Sequence, residues 1–417
     1  MKVLWITNIL FPEVCEELGL KASVLGGWMH SSAISLLGLK TDLNLAIVSL
    51  YSGKELKIIT KKDFTFYLIP QGKDNKKYDK VRELLFNKVY TIFHPDIVHI
   101  HGTEYAISLE AAKACGEKIR FVVSIQGLIS YISNYYLSGI SSSTLTKKKT
   151  LRDFLRKDSP KDQQMKMKSR GIYEQELLAR ADNIIGRTSW DRSCTWAINP
   201  SASYYVCNET MRPAFYKTSW SYETCIPHSI FLSQANYPIK GAHILLKALP
   251  LVIQKYPDTK VFIAGHDIIH RPWYRMDTYG AYLLDLIKLL GRTDVIHFLG
   301  VLEEAQMAEQ YAKANVFVCP SSIENSPNSV GEAQLVGTPV IASYVGGTMD
   351  LVNNEHTGLL YRFEEYPLLA LHICRLFESI DLCKKLSINA KKEAIERHNG
   401  AKNAEKLRII YKEIISK

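Results

Sequence analysis

The chain has 417 residues, 47% of them hydrophobic and 23% charged, with a formal net charge of +10. One core stops growing at roughly 250–300 residues, so this length implies two domains. No apolar run reaches the ~18–20 residues that cross a bilayer, and MKVLWITNIL is followed by Pro12 and Glu13 with no small-residue cleavage site, so neither a span nor a leader is expected and the location is read as cytoplasmic. The eight cysteines are scattered without a C-x-x-C pair or a histidine at zinc spacing, which predicts free thiols and no metal.

From the N-terminus, short β-branched runs alternate with amphipathic stretches, the pattern of a parallel sheet wound with crossover helices. Strands are predicted at Val3–Asn8, Leu43–Leu50, Phe64–Pro70, Ile97–Ile100, Phe121–Ile125 and Asn183–Gly186. Helices are predicted at Trp28–Leu39, Lys76–Phe93 and Glu104–Cys115, followed by a long basic helix ending near Asp182. Met211–Glu223 reads as a connector, and a second alternation follows it. Its strands are His228–Leu232, Lys260–Ala264, Val295–Leu299, Val316–Cys319 and Pro339–Ser343, and its helices Ala242–Lys255, Tyr279–Leu290, Glu303–Ala314 and Ser329–Val336. Lys-rich helical segments close the chain. The α/β reading is therefore two doubly wound domains facing a cleft, residues 1–212 and 225–390, with a terminal helix at about 400–417 packing back on the first. In such sheets ligands sit outside the carboxyl ends of strands, so the loops just after strands are where chemistry is sought.

The most informative stretch is Val316–Gly347, VFVCPSSIENSPNSVGEAQLVGTPVIASYVGG: a buried strand, a loop, a helix, a Gly-Thr-Pro stop, a second strand and a Gly-Gly turn, with carboxylates at Glu324 and Glu332. Asn328 and Ser329 lie where the helix begins, so their N–H groups and the helix dipole form a ready diphosphate site. Glu332 has two readings, an acceptor for ribose hydroxyls or the acid of a capping box with Ser329. Glu324 in the loop is placed to face a sugar. Arg187 and Asp191 follow a strand end and read either as acceptor or phosphate contacts or as a helix-start salt-bridge cluster. His99 and His101 are expected on opposite faces of one strand, His99 in the core and His101 at the cleft.

This stretch resembles the E-x7-E region of glycosyltransferase family 4, and the likeness runs in order through nearly the whole chain. It implies a GT-B fold of two Rossmann-like domains and a retaining transfer, with Glu332 on the donor ribose and Glu324 on the transferred sugar. Lys240-Gly241 resembles the Lys-Gly that sets an ammonium on the donor diphosphate, where a fixed cation stabilises the charge that builds on a leaving nucleoside diphosphate. The arginine that the family has six residues earlier is here Gln234. Gly26-Gly27 resembles the glycine-rich loop after the first strand. Gln126 stands where the family commonly has histidine; it can hydrogen-bond a sugar but cannot titrate, so it is no general base. The resemblance implies that the leaving phosphate oxygen takes the acceptor's proton.

Residues 147–170 hold ten Lys/Arg against three Asp. In LRDFLRK, Leu151, Phe154 and Leu155 share one helical face, so the segment reads as a basic amphipathic helix for an anionic membrane surface. It has few aromatics and no nucleic-acid motif, and nucleic acid is not expected as a partner. The leading reading is a retaining glycosyltransferase that takes a UDP- or GDP-sugar and passes its sugar to a glycan or lipid-linked acceptor, without cofactor or metal. Two others stay open: a phosphorylase or nucleotide-sugar epimerase on the same scaffold, and a catalytically silent binding subunit, to which the departures at Gln126 and Gln234 point.

Overall fold

The first strand, β1 (Lys2–Thr7), is buried from its second residue on, because it runs through the middle of a parallel sheet covered on both faces. A computed structural model describes residues 1–23, 26–39, 42–72 and 74–417. They form two compact units, one of Met1–Tyr131, Met167–Met211 and His398–Lys417, the other of Ile132–Lys166 and Arg212–Arg397.

In the first unit, β1 is joined by β2 (Asn44–Tyr51), β3 (Lys57–Lys61), β4 (Phe64–Pro70), β5 (Ile97–His101), β6 (Phe121–Ser124), β7 (Asn183–Gly186) and β8 (Ser203–Val206), in the order β3-β4-β2-β1-β5-β6-β7-β8. All pairs are parallel except β3 with β4. Side chains alternate along a strand, so β1 feeds two cores. Leu4 and Ile6 pack with Ala46, Val48 and the helices Lys80–Phe93 and Ala106–Cys115. Val3 and Trp5 pack with Leu45, Ile47 and the helices Gly27–Leu37 and Gly400–Ser416. The terminal helix thus belongs to the first unit.

It is locked there by a buried polar relay. Trp5 Nε1 donates to the Tyr411 hydroxyl at 2.8 Å, and that oxygen lies 2.5 Å from His99 Nδ1. With its own proton the hydroxyl donates to Nδ1, so His99 carries its hydrogen on Nε2 and gives it to Ser124 Oγ, 2.6 Å away. Burial, reinforced by His101, keeps His99 well below the ordinary histidine range. His99 is the satisfied core histidine expected of it.

The second unit holds β9 (Ile226–Leu232), β10 (Lys260–Ala264), β11 (Ile296–Gly300), β12 (Ala314–Cys319), β13 (Val340–Ser343) and β14 (Leu359–Tyr361), all parallel, in the order β11-β10-β9-β12-β13-β14. Residues 132–166, expected in the first domain, belong to this unit. Among the contacts that fasten them, Ser322 Oγ donates to Tyr135 O at 3.0 Å, His243 Nε2 lies 3.1 Å from Ser138 O, and Thr278 N donates to Asp153 Oδ2 at 2.6 Å. The long basic helix expected to end near Asp182 is Pro160–Arg180, 21 residues, and two short helices precede it, Ser142–Lys147 and Leu151–Arg156, the second closed by the left-handed Lys157 (φ 48°).

Among the described residues, no helix is long and apolar enough to cross a membrane. Replacing Tyr411 by Phe leaves the buried Trp5 N–H and His99 Nδ1 without their partner. We expect a loss of about 1–3 kcal/mol, read as a lower urea midpoint; an unchanged midpoint would show that the relay contributes nothing.

Candidate active site

The second sheet reverses its strand order between β9 and β12, and the loops leaving these strands diverge into a crevice. Lys240 ends a short turn after β9, and Glu324 lies on the loop after β12. Lys240 Nζ donates to Glu324 Oε1 at 2.7 Å, and Ser321 Oγ donates to the same oxygen at 2.7 Å. Two glycines permit this. Gly241 has φ 68°, and a Cβ there would lie 1.6 Å from Pro320 O; Gly346 has φ 52°, and its Cβ would lie 2.0 Å from Glu324 O. The Glu324 carbonyl also accepts from Gly347 N at 3.0 Å, so the Gly-Gly turn fixes the acid from behind. Burial works against the Lys240 ammonium, but the Glu324 carboxylate outweighs it and holds Lys240 above the usual lysine range. Gln234, on the same loop, accepts from Tyr237 OH at 3.4 Å and brings no charge. The described ammonium facing Glu324 is therefore that of Lys240.

The helix Asn328–Val336 begins beside this pair. Its N-cap is Pro327, which makes no side-chain cap, so the first N–H groups, those of Asn328 and Ser329, are not capped by a side chain at that position. Glu332 is not part of a capping box. It sits in the second turn, where Oε1 accepts from Arg212 Nη2 at 3.0 Å and Oε2 from Tyr311 OH at 3.3 Å. Burial raises its pKa while Arg212 pulls it down. An ionised carboxylate offers about four lone-pair sites, so two remain for further donors. Arg212 and Ser321 were not legible as site residues; a lone arginine before a proline in a connector carries no signal.

The first sheet reverses order between β1 and β5, and there a pocket is lined by Trp5, Trp28, His101, Gln126, Arg187 and Glu209 among others. It gathers three sequence candidates. His99 and His101 do not face opposite ways: residues two apart on a strand share a face, and their rings lie 3.8 Å apart. Both His101 nitrogens are buried without a hydrogen-bond partner among the described residues, and burial lowers its pKa to about 3, so the ring is neutral. Arg187 forms an ion pair with Glu209 and donates to the Ile125 and Gln126 carbonyls at 3.0 and 3.2 Å, so it holds the Gln126 backbone. Asp191 is fully buried. It completes a capping box with Thr188 and accepts from Arg187 N at 3.0 Å. Gly26, at φ 74°, caps the helix that Gly27 opens, and a Cβ on it would lie 2.6 Å from Ile9 Cδ1.

Two acids that the sequence did not single out, Glu104 half-buried and Glu174 fully buried, brace this end. Glu104 accepts from Gly127 N and Thr103 N, each at 2.9 Å. Glu174 accepts from Ile129 N and Ser130 N and from the Thr103 and Ser130 hydroxyls. Together they tie the segment after Gln126 to the end of β5. Among the described residues, no three His, Cys, Asp or Glu side chains converge as a metal ion would need.

With this geometry in view, likeness to known proteins is informative. The fold matches that of sucrose-phosphate synthase from Thermosynechococcus elongatus with TM-score 0.72 at 16% identity, covering 100% of this chain and 99% of that one. It matches Anabaena Alr3699/HepE, solved in complex with UDP-glucose, with TM-score 0.66 at 16% identity over 99% and 100%. The fold is thus that of the GT-B glycosyltransferases, two parallel-sheet α/β domains. Residues 227–393 match the family model of glycosyl transferases group 1, and the matched stretch includes Lys240, Glu324, Asn328 and Glu332. An uncharacterized glycosyltransferase of Methanocaldococcus jannaschii is 27% identical over 183 residues, 44% of this chain and 44% of the relative. The chain spans about half or less of the length of the curated relatives it matches.

Burial raises the Glu104 pKa from 4.5 to about 7. The folded chain then holds a proton that the unfolded chain has released, so this group's contribution is complete below pH 4.5 and is lost as pH rises to about 7. We expect Glu104→Gln to flatten the fall of melting temperature across that interval, by the equivalent of a few kcal/mol at most. Parallel pH profiles of the two proteins would refute this assignment.

Proposed function

We propose that the chain is a retaining glycosyltransferase that moves a sugar from a nucleoside-diphosphate sugar to a glycan or lipid-linked acceptor. The observation that carries the reading is the Lys240–Glu324 pair, 2.7 Å apart, at the mouth of the helix Asn328–Val336 inside the stretch that matches group 1. A diphosphate at that mouth meets the N–H groups of Asn328 and Ser329, the positive end of the helix dipole and the Lys240 ammonium. Glu332, with free lone pairs, takes the ribose hydroxyls. Glu324 holds Lys240 in place and faces the sugar.

The acceptor hydroxyl attacks the anomeric carbon as its bond to the diphosphate oxygen breaks, and that oxygen receives the acceptor proton on the same face. Lys240 stabilises the charge arriving on the leaving group. This chemistry asks no titration of the first unit, which fits Gln126 and a neutral His101. Both belong to the acceptor side in this reading, with Gly26 and Gly27 near the phosphates or the acceptor. UDP is favoured over GDP, because a protein of the same fold was solved with UDP-glucose. The enzyme works in the cytoplasm, peripheral to the inner face of a membrane that its basic segment 147–170 contacts.

Thermal shifts against UDP, GDP, ADP, CMP and their sugar conjugates test the donor, since a ligand held only by the folded chain raises the melting temperature. A rise with UDP and UDP-sugars is expected; none with any nucleotide at millimolar concentration would refute the reading. Glu332→Ala should weaken nucleotide binding roughly 10–100-fold, as hydrogen bonds to a charged group are lost. Lys240→Ala and Glu324→Gln should chiefly lower kcat, for Lys240 by about 10²–10³. Unchanged kcat in both would sink the assignment.

A further inference from the structure

Five large apolar side chains stand exposed together on the second unit. Leu151, Phe154 and Leu155, on the helix Leu151–Arg156, are 60%, 65% and 71% exposed. That helix touches the turn Trp273–Arg275, more than a hundred residues further on, where Trp273 is 76% and Tyr274 56% exposed. Single exposed apolar residues are ordinary, but a contiguous set marks an interaction surface. Cations ring it: Lys147, Lys149, Arg156, Lys157 and Arg275 are exposed. Lys149 Nζ lies 5.4 Å from the Phe154 ring centroid, and the Arg275 guanidinium 5.8 Å from that of Tyr274. The acids of the helix are withdrawn. Asp153 is fully buried against Arg152 and Thr278 N, and Asp158 is paired with Arg152 and Lys166.

We propose that this composite face, two segments distant in sequence, seats the second unit on an anionic lipid bilayer. Leucine and phenylalanine enter the acyl boundary, tryptophan and tyrosine lie at the headgroups, and the lysines and arginines meet lipid phosphate. A protein partner fits the face poorly, because interface cores are depleted in lysine. Nucleic acid would leave Leu151 and Leu155 unrewarded. The helix is presented in fixed form, capped by Thr150 Oγ1 and anchored through Asp153, so docking orders little. The face is narrower than the basic run, since Lys148 pairs with Asp285 and Arg152 is half-buried in its ion pairs. Resting on the transferase reading above, it commits the acceptor to one carried by lipid and sets the membrane against the same unit that holds the donor site.

Flotation of the full chain with vesicles of phosphatidylcholine, with and without phosphatidylglycerol, tests this, alongside UDP thermal shifts on the same samples. Binding is expected only to the anionic vesicles, with a blue shift of tryptophan emission that Trp273→Phe removes. Phe154→Ser with Trp273→Ala should weaken binding about tenfold or more. Lys149→Gln, Arg156→Gln and Lys157→Gln should each weaken it roughly fivefold, and added salt should mask the charge effect. Failure of the wild-type chain to bind anionic vesicles, equal binding by the variants, or loss in the variants of self-association or RNA binding instead would overturn the proposal. A missing UDP shift with vesicle binding intact would refute the donor reading alone.

Discussion

Two backbone approaches that only glycine tolerates govern the second unit: Gly241 against Pro320 and Gly346 against Glu324. The first brings the loop after β9 onto the loop after β12, and the second sets the turn after β13 behind it. Without the first, Lys240 would not reach Glu324; without the second, the acid would not be held. Three loops from neighbouring strands thus converge because two side chains are missing at the contacts. The cost is paid in left-handed backbone, which glycine adopts without strain.

The charges follow from that convergence. Lys240 is desolvated yet stays protonated because its partner is 2.7 Å away, and the arrangement leaves a net donor surface at the helix mouth. Glu332 is likewise drawn toward the neutral form by burial and kept available by Arg212. The first unit solves its polar burial differently. Its acids hold backbone N–H groups, its arginine holds carbonyls, and its histidines are kept neutral by burial.

Much of the fold was legible because buried parallel strands read as continuous apolar runs between turn signals. Phe64–Pro70, Lys260–Ala264 and Asn183–Gly186 begin and end where the sequence puts them. The strands without a prediction are β3, β8 and β14. In β3 one of the five residues is buried, β8 is only half-buried at the sheet edge, and β14 is three residues long. Edge strands and short strands lose the pattern that periodicity detects. Of the site, the residues with a local signature stood out, Lys240 before its glycine and the two glutamates of Val316–Gly347. Partners brought by tertiary structure did not, as Arg212 for Glu332, Glu104 for the Gln126 loop and Trp273 for Phe154 show. The assignment of residues 132–166 failed for the same reason: chain continuity says nothing of which neighbour a segment prefers.

The Tyr411 relay ties a discontinuous first unit together, since one of the four helices named as covering its sheet, Gly400–Ser416, lies beyond the second unit in sequence. During synthesis the second unit is finished first, while Trp5, His99 and the sheet face around them wait uncovered. That core face of the first unit is therefore completed only once residues 398–417 have been made.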